Sequence, residues 1–227
     1  GILGNVLIDR RGNAFSILET ETGRLAISTT ELTCKALMEY CSEKKIGRNF
    51  KTTEHPFEIY DKKDIKLVLD YCNWLSQENQ LAESQLCYPL TIDLANVATL
   101  TPTIAGTGFR LPSVEEFREF NSKSGSVLNL KMDSKAIALD YAWAFQNAVA
   151  VVQPVGTRLP NSLGLFDSFG NVQELSQSQH NLDTEWHAVG QTVRAEVSAF
   201  NVTSASIQQT EAVNWPKVGF RIVRRME

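Results

Sequence analysis

Few residues in this chain are suited to redox, metal or nucleophilic chemistry. The four cysteines, Cys34, Cys41, Cys72 and Cys87, all lie in the first half, and none has CxxC spacing. The three histidines are His55, His180 and His187. His180 and His187 stand seven apart in a polar stretch, and His55 precedes Pro56. No i, i+4 pair is present, so these read as loop or surface histidines and not as a zinc set. The thiols read as reduced and mostly buried, as in a cytosolic protein, and a Cys72–Cys87 contact stays open. GxSxG, P-loop and GxGxxG patterns are absent, and no carboxylate pair is singled out for acid–base work.

The segment from Pro160 to Leu175, PNSLGLFDSFGNVQEL, is the most site-like stretch. Gly164 and Gly170, Asn161 and Asn171, and Asp167 and Glu174 surround Leu163, Leu165 and Phe166. Neither an amphipathic helix nor a strand needs that mixture. Glycines interleaved with amides and carboxylates suggest a tightly turned backbone that aims its carbonyls.

Other elements must position such a segment. Residues 5 to 28 read as short strands split by a Gly-Asn turn. Thr29 or Thr30 is a cap candidate for a helix starting near Glu31, with Leu32, Ala36, Leu37 and Tyr40 on one face and Gly47 as its stop. Asp61 caps a predicted helix over 62–77, with Ile65, Val68, Leu69, Cys72 and Leu75 as its buried stripe. Residues 90–100 alternate weakly and suit one or two strands. Ser113 and Glu116 form a capping-box pattern for a short helix over 112–120. Arg110 is placed to pair with Glu115, Glu116 or Glu119. Beyond Tyr141 little helical period is visible, and Val218 to Val223 is a strand candidate. Trp74, Trp143 and Arg221 read as structural anchors.

The bulk properties are those of a globular protein. Of 227 residues, 43% are apolar and 21% charged, and 22 basic against 26 acidic side chains give a net charge of −4. That balance lacks the concentrated positive charge of a nucleic-acid binder. No apolar run approaches the ~20 residues that cross a bilayer, and no signal peptide is visible. The chain starts at Gly1 without Met, and the expectation is a piece of a larger protein.

Five stretches in order carry a resemblance: AISTTEL at 26–32; YCNWLS at 71–76 with Cys87-Tyr88-Pro89; TGFRLPSVEEF at 107–117; Tyr141-Ala142-Trp143, Asn147, Pro154-Val155-Gly156 and PNSLGLFDSFGNVQEL; and the closing Gly219-Phe220-Arg221. Together they resemble the sulfatase-modifying factor family, the formylglycine-generating-enzyme domain, over about residues 20 to 224. The nearest flavour is the bacterial version fused to kinases or other signalling modules. The resemblance implies an α+β, loop-rich, C-type-lectin-like single domain spanning 1–227, with two or three helices and short antiparallel strands.

It also implies what to look for as a site. The family's oxidase activity uses two cysteines shortly before the terminal Gly-Phe-Arg to bind copper. Here Arg194 and Ala199 align near those positions, and no cysteine follows Cys87. A soft thiolate is what Cu(I) needs, so no copper is expected. A related iron-dependent branch uses three histidines, which this chain does not space suitably. The family also binds calcium in the central turn, and the matching positions are Asp167, Gly170, Val172 and Glu174. Calcium takes about six to eight oxygen ligands, so water or other loops would complete the set.

The expected function is a non-catalytic binding module, not an enzyme, that presents a protein- or peptide-recognition surface. Its candidate residues are Arg194, Phe200, Asn201, Gln208 and Trp215, in a polar, small-residue stretch suited to adaptable recognition. One form of this expectation is a variable protein diversified by a retroelement, since those also end near Gly-Phe-Arg. Another is a regulatory domain with an upstream module such as a kinase. The expected location is cytoplasmic, with neither nucleic acid nor membrane as partner. The alternative is an oxygen-dependent metal oxidoreductase with an altered centre.

Overall fold

The computed structural model describes residues 1–20, 23–50, 52–97, 100, 102–103, 105–123, 135–177, 186–196, 208–209 and 218–226. In chain order the elements are β1 (Ile2–Leu3), β2 (Val6–Ile8), β3 (Ala14–Thr20), β4 (Gly23–Ser28), α1 (Cys34–Glu43), α2 (Lys62–Glu78), β5 (Phe109–Arg110), α3 (Val114–Lys123), α4 (Lys135–Tyr141), α5 (Phe145–Ala148), β6 (Gln173–Gln177), β7 (Trp186–Val189), β8 (Gln208–Gln209), β9 (Val218–Gly219) and β10 (Val223–Arg225). The class is α+β. Five helices are present among the described residues, where two or three were expected.

One sheet has six strands in the order β1-β2-β3-β4-β10-β5, every pair antiparallel. The second has four, β8-β7-β6-β9, antiparallel as expected except for the β6–β9 pair, which is parallel. The main core packs Phe15, Ile59, Ile65, Val68, Phe109 and Phe220 between the larger sheet and α2. A second cluster seats Phe117 and Phe120 of α3 against Ile27, Leu165 and Val223.

Asp61 caps α2 as predicted, accepting from the amides of Lys63 and Asp64. The start of α1 differs. Thr33 is the cap, and residues 29–32 lie outside the helix, because the Thr29 amide is claimed by the Ala14 carbonyl and the Leu32 amide by that of Phe220. The left-handed residue after α1 is Lys45 at φ 55°, not Gly47. Among the described residues of 90–100 there is no strand. The Asp93 side chain accepts from the Ala95 amide in a tight turn, and the weak alternation reflects the buried anchors Ile92 and Val97. The run 218–223 is split between the two sheets. Trp74 is buried, whereas Trp143 is half-buried beneath Arg158, whose guanidinium stands 3.7 Å from the ring centre.

The capping box of α3 is complete. The Glu116 amide donates to Ser113 Oγ at 3.0 Å, and the Ser113 amide donates to Glu116 Oε2 at 2.9 Å. Glu116 also receives both terminal nitrogens of buried Arg110, at 2.7 and 2.6 Å. Ser113→Ala should therefore cost about 1 kcal/mol in urea unfolding, with native spectra unchanged. Glu116→Gln should cost more, because it leaves the Arg110 charge buried without its counter-ion.

Candidate functional site

The central turn 160–175 is built around one cation. Arg221 is fully buried; its Nε and Nη2 donate to Glu174 Oε2 and Oε1, each at 2.7 Å. Nη1 reaches the Ser28 carbonyl and Nη2 the Phe166 carbonyl, at 3.2 and 3.1 Å. Two further carboxylates sit in its field. Glu31 accepts from Asn171 Nδ2 at 2.8 Å and from the Val172 amide at 3.4 Å. Asp167 Oδ2 accepts from the Gly156 amide at 2.7 Å, while Oδ1 is buried without a hydrogen-bond partner among the described residues.

Burial, with Asp167 and Glu174 nearby, pushes Glu31 well above the ordinary value of 4.5. Burial also raises Asp167, against the Gly156 amide and Arg221, which pull it down. Asp167, Gly170 and Asn171 all have left-handed φ, at 51°, 84° and 54°. At Gly170 a side chain is impossible, since a Cβ would stand 2.0 Å from the Trp143 carbonyl oxygen. The turn thus has the tightly folded backbone that its composition predicts.

Of the four residues matched to calcium, Glu174 has both oxygens occupied by Arg221. A metal ion would have to compete with a buried guanidinium for that carboxylate. Among the described residues no three His, Cys, Asp or Glu side chains are arranged to hold a metal ion.

A groove opens on one side of this turn. Its first basin has a volume of about 780 Å³ and is walled by Ala150, Val151, Val152, Val172, Val193 and Arg194, with His55, Glu58, Asn171, Gln173 and Thr192 supplying the polar lining. A second basin, about 640 Å³, is walled by Arg48, Phe50, Phe57 and Tyr60. His55, Glu58 and Val152 belong to both, so the basins meet there.

Backbone bonds fix these walls. The Val193 amide donates to the Asn171 carbonyl at 2.9 Å, the Gln153 amide to Asn171 Oδ1 at 3.0 Å, and the Val155 amide to the Glu54 carbonyl at 2.9 Å. Asn171 therefore ties two walls to the central turn. Val149 and Ala150 are consecutive left-handed residues at φ 51° and 60°. For β-branched Val149 this is a true outlier, of a kind that costs about 1–3 kcal/mol and clusters at functional sites. The result is a rim with Val149 72% and Val151 61% exposed.

Of the sequence-predicted surface, Arg194 lines the groove and is exposed. Gln208 lies in β8 opposite Ala188. Phe200, Asn201 and Trp215, and also His180, lie outside the described residues. The walls at 55–58 and 149–152 were not anticipated. The one available signal was the run Val149-Ala150-Val151-Val152, apolar yet without a helical period leading into it.

The cysteines are free, three buried and Cys34 half-buried at the second basin. Burial raises the pKa of all four, the opposite of an activated thiolate.

The sulfatase-modifying factor enzyme 1-like domain profile matches residues 19–226. The chain belongs to that family. Among solved structures it is similar to Treponema denticola variable protein 1, at 19% identity and TM-score 0.65, covering 94% of this chain and 96% of that one. It is similar to PvdO from Pseudomonas aeruginosa at 16% identity and TM-score 0.67, covering both chains in full. CarF aligns at 16% identity and TM-score 0.60, over 90% of this chain and 88% of its own. These likenesses establish a shared fold. Comparison with curated protein sequences gave no match.

Two outcomes test the central turn. Gly170→Ala should abolish cooperative unfolding, since both the φ and the Trp143 carbonyl forbid a Cβ. For Glu31, a raised folded pKa means stability that is present at acid pH and declines as pH rises from the unfolded carboxylate value of 4.5 through the folded one. Glu31→Gln should remove that decline, so its Tm relative to wild type should rise between pH 4.5 and the folded pKa.

Proposed function

We propose that this domain is a non-catalytic recognition module that binds a protein or peptide in the groove walled by Thr192–Arg194 and Ala150–Val152. The observation that carries this is Arg194. It aligns near one of the family's two copper-binding thiols, and here it presents an exposed guanidinium to a groove of about 780 Å³. The sequence offers no cysteine beyond Cys87. The remaining thiols are raised in pKa by burial and lie in the first half of the chain. The composition of 198–210, rich in small and polar residues, favours recognition over fixed chemistry.

The central turn is metal-free in this reading. Arg221 supplies the positive charge that calcium would bring, and it already holds Glu174 on both oxygens. Excess calcium against a chelator should leave the Tm unchanged; a calcium-dependent rise of several degrees would restore the calcium site.

Reduced thiols favour a cytoplasmic protein, and the role of a regulatory domain in a longer signalling chain accords with the resemblance. The test pairs metal analysis with binding. Purified protein should carry no stoichiometric copper or iron, and Val151→Asp with Arg194→Glu should lose the partners that wild type cross-links in native lysate. Stoichiometric metal lost on substituting His180 or His187 would instead establish the oxidoreductase alternative. An unchanged set of partners would remove the groove from recognition.

A further inference from the structure

The second basin has a lining and a charge of its own. Its volume of about 640 Å³ falls within the roughly 300–1,000 Å³ that takes one small ligand. Two formally charged side chains stand on its walls, Arg48 and Glu58. Arg48 is ion-paired with buried Asp64, and its guanidinium lies 4.8 Å from the Phe57 ring centre and 5.8 Å from that of Phe50. Glu58 accepts from Tyr60 Oη at 2.7 Å, and among the described residues no cation is ion-paired with it. The arginine is therefore compensated from within the protein, and the glutamate is not.

The Glu58 carboxylate acts on other groups of the same basin. Burial raises the pKa of the Cys34 thiol, and the Glu58 charge adds to that rise while Arg48 and Thr52 oppose it. Burial also raises the Tyr60 phenol, followed by its bond to Glu58 and the charges of Glu58 and Asp64. Cys34 opens α1 and Tyr60 precedes α2, so the field of one carboxylate reaches two separate parts of the lining. A negative field in a partly desolvated basin selects a cation over an anion.

The rest of the lining is apolar. The Phe50 and Phe57 rings have their centres 6.1 Å apart, and Pro56 and Val152 stand beside them. Arg48 already lies over both rings, so they offer a ligand hydrocarbon contact and not a full cation cage. One uncompensated carboxylate next to aromatic surface is complementary to an ammonium group carried on an apolar body.

We infer that the second basin binds a small organic ammonium ion, with its charged nitrogen on the Glu58 carboxylate and its apolar body against Phe50 and Phe57. This site is additional to the recognition reading, whose contacts are the walls at 150–152 and 192–194 of the first basin.

Calorimetric titration of the intact protein with three probes of one shape tests this: phenethylamine, the neutral phenethyl alcohol and the anionic hydrocinnamate. Phenethylamine should bind more tightly than the alcohol by roughly tenfold, the low end for a hydrogen bond to a charged group, and hydrocinnamate should not bind. Glu58→Gln should bring the amine down to the level of the alcohol and leave the alcohol unchanged, which also shows that the basin is still folded. Phe50→Ala, which changes the second basin alone, should weaken amine and alcohol by a similar factor while unfolding cooperatively like wild type. Equal affinity for amine and alcohol, amine binding that survives either substitution, or no amine binding by the folded protein would each overturn the inference. Partner capture through Val151 and Arg194 is a separate readout, so none of those failures touches the recognition reading.

Discussion

Arg221 and Glu174 form a bidentate pair with neither partner exposed to water, and the rest of the molecule is arranged to permit it. An ion pair at that depth contributes little net stability, because desolvating two charges offsets most of their attraction. Its consequence is geometric. Arg221 follows the last strand of the smaller sheet, Glu174 lies in β6, and the guanidinium also holds carbonyls from the end of β4 and from Phe166. One side chain thus fixes the angle between the two sheets and the path of the central turn. Removing either partner leaves a buried charge with Glu31 and Asp167 still beside it, so the unit behaves as all or nothing.

The groove inherits this rigidity at second hand. Asn171 accepts from the Gln153 amide, donates to Glu31 and holds Val193 by its carbonyl. Charge buried on one side of the turn therefore positions apolar and charged walls on the other. A scaffold of this kind can change the chemistry of its groove without changing its core. The side chains that line the groove come mostly from loops, and the bonds that place those loops are made by the backbone and by Asn171.

Much of this was legible in the sequence where local chemistry decides structure. The Asp61 cap, the Ser113–Glu116 box and the glycine-rich turn follow from short-range hydrogen bonding, and each appears as read. Arg110 and Arg221 were recognisable as structural because a lone arginine within an apolar motif needs a counter-ion. Misreadings arose where a distant partner won. Thr29 and Thr30 have the composition of a helix cap, yet strand β3 and the Phe220 carbonyl claim the adjoining backbone and push the cap to Thr33. The run Val218 to Val223 has one pattern but serves two sheets, a division set by Glu174 and Ile27 far away in sequence. The groove was half visible. Arg194 lies in the stretch that the sequence singles out ahead of the closing Gly-Phe-Arg, whereas Glu58 and His55 are ordinary loop residues until folding brings residues 150–152 beside them.

The same division of the closing segment has a kinetic meaning. Strand β10 lies between β4 and β5, and β9 lies beside β6, so neither sheet is complete until residues 218–225 are available. The β10–β4 pairing joins residues nearly two hundred apart in sequence, as in Val223 with Ile27. Contacts of that span form slowly, because the loop they close loses its entropy before any contact offsets it. During synthesis, β4 would wait with an unpaired edge until this segment leaves the ribosome.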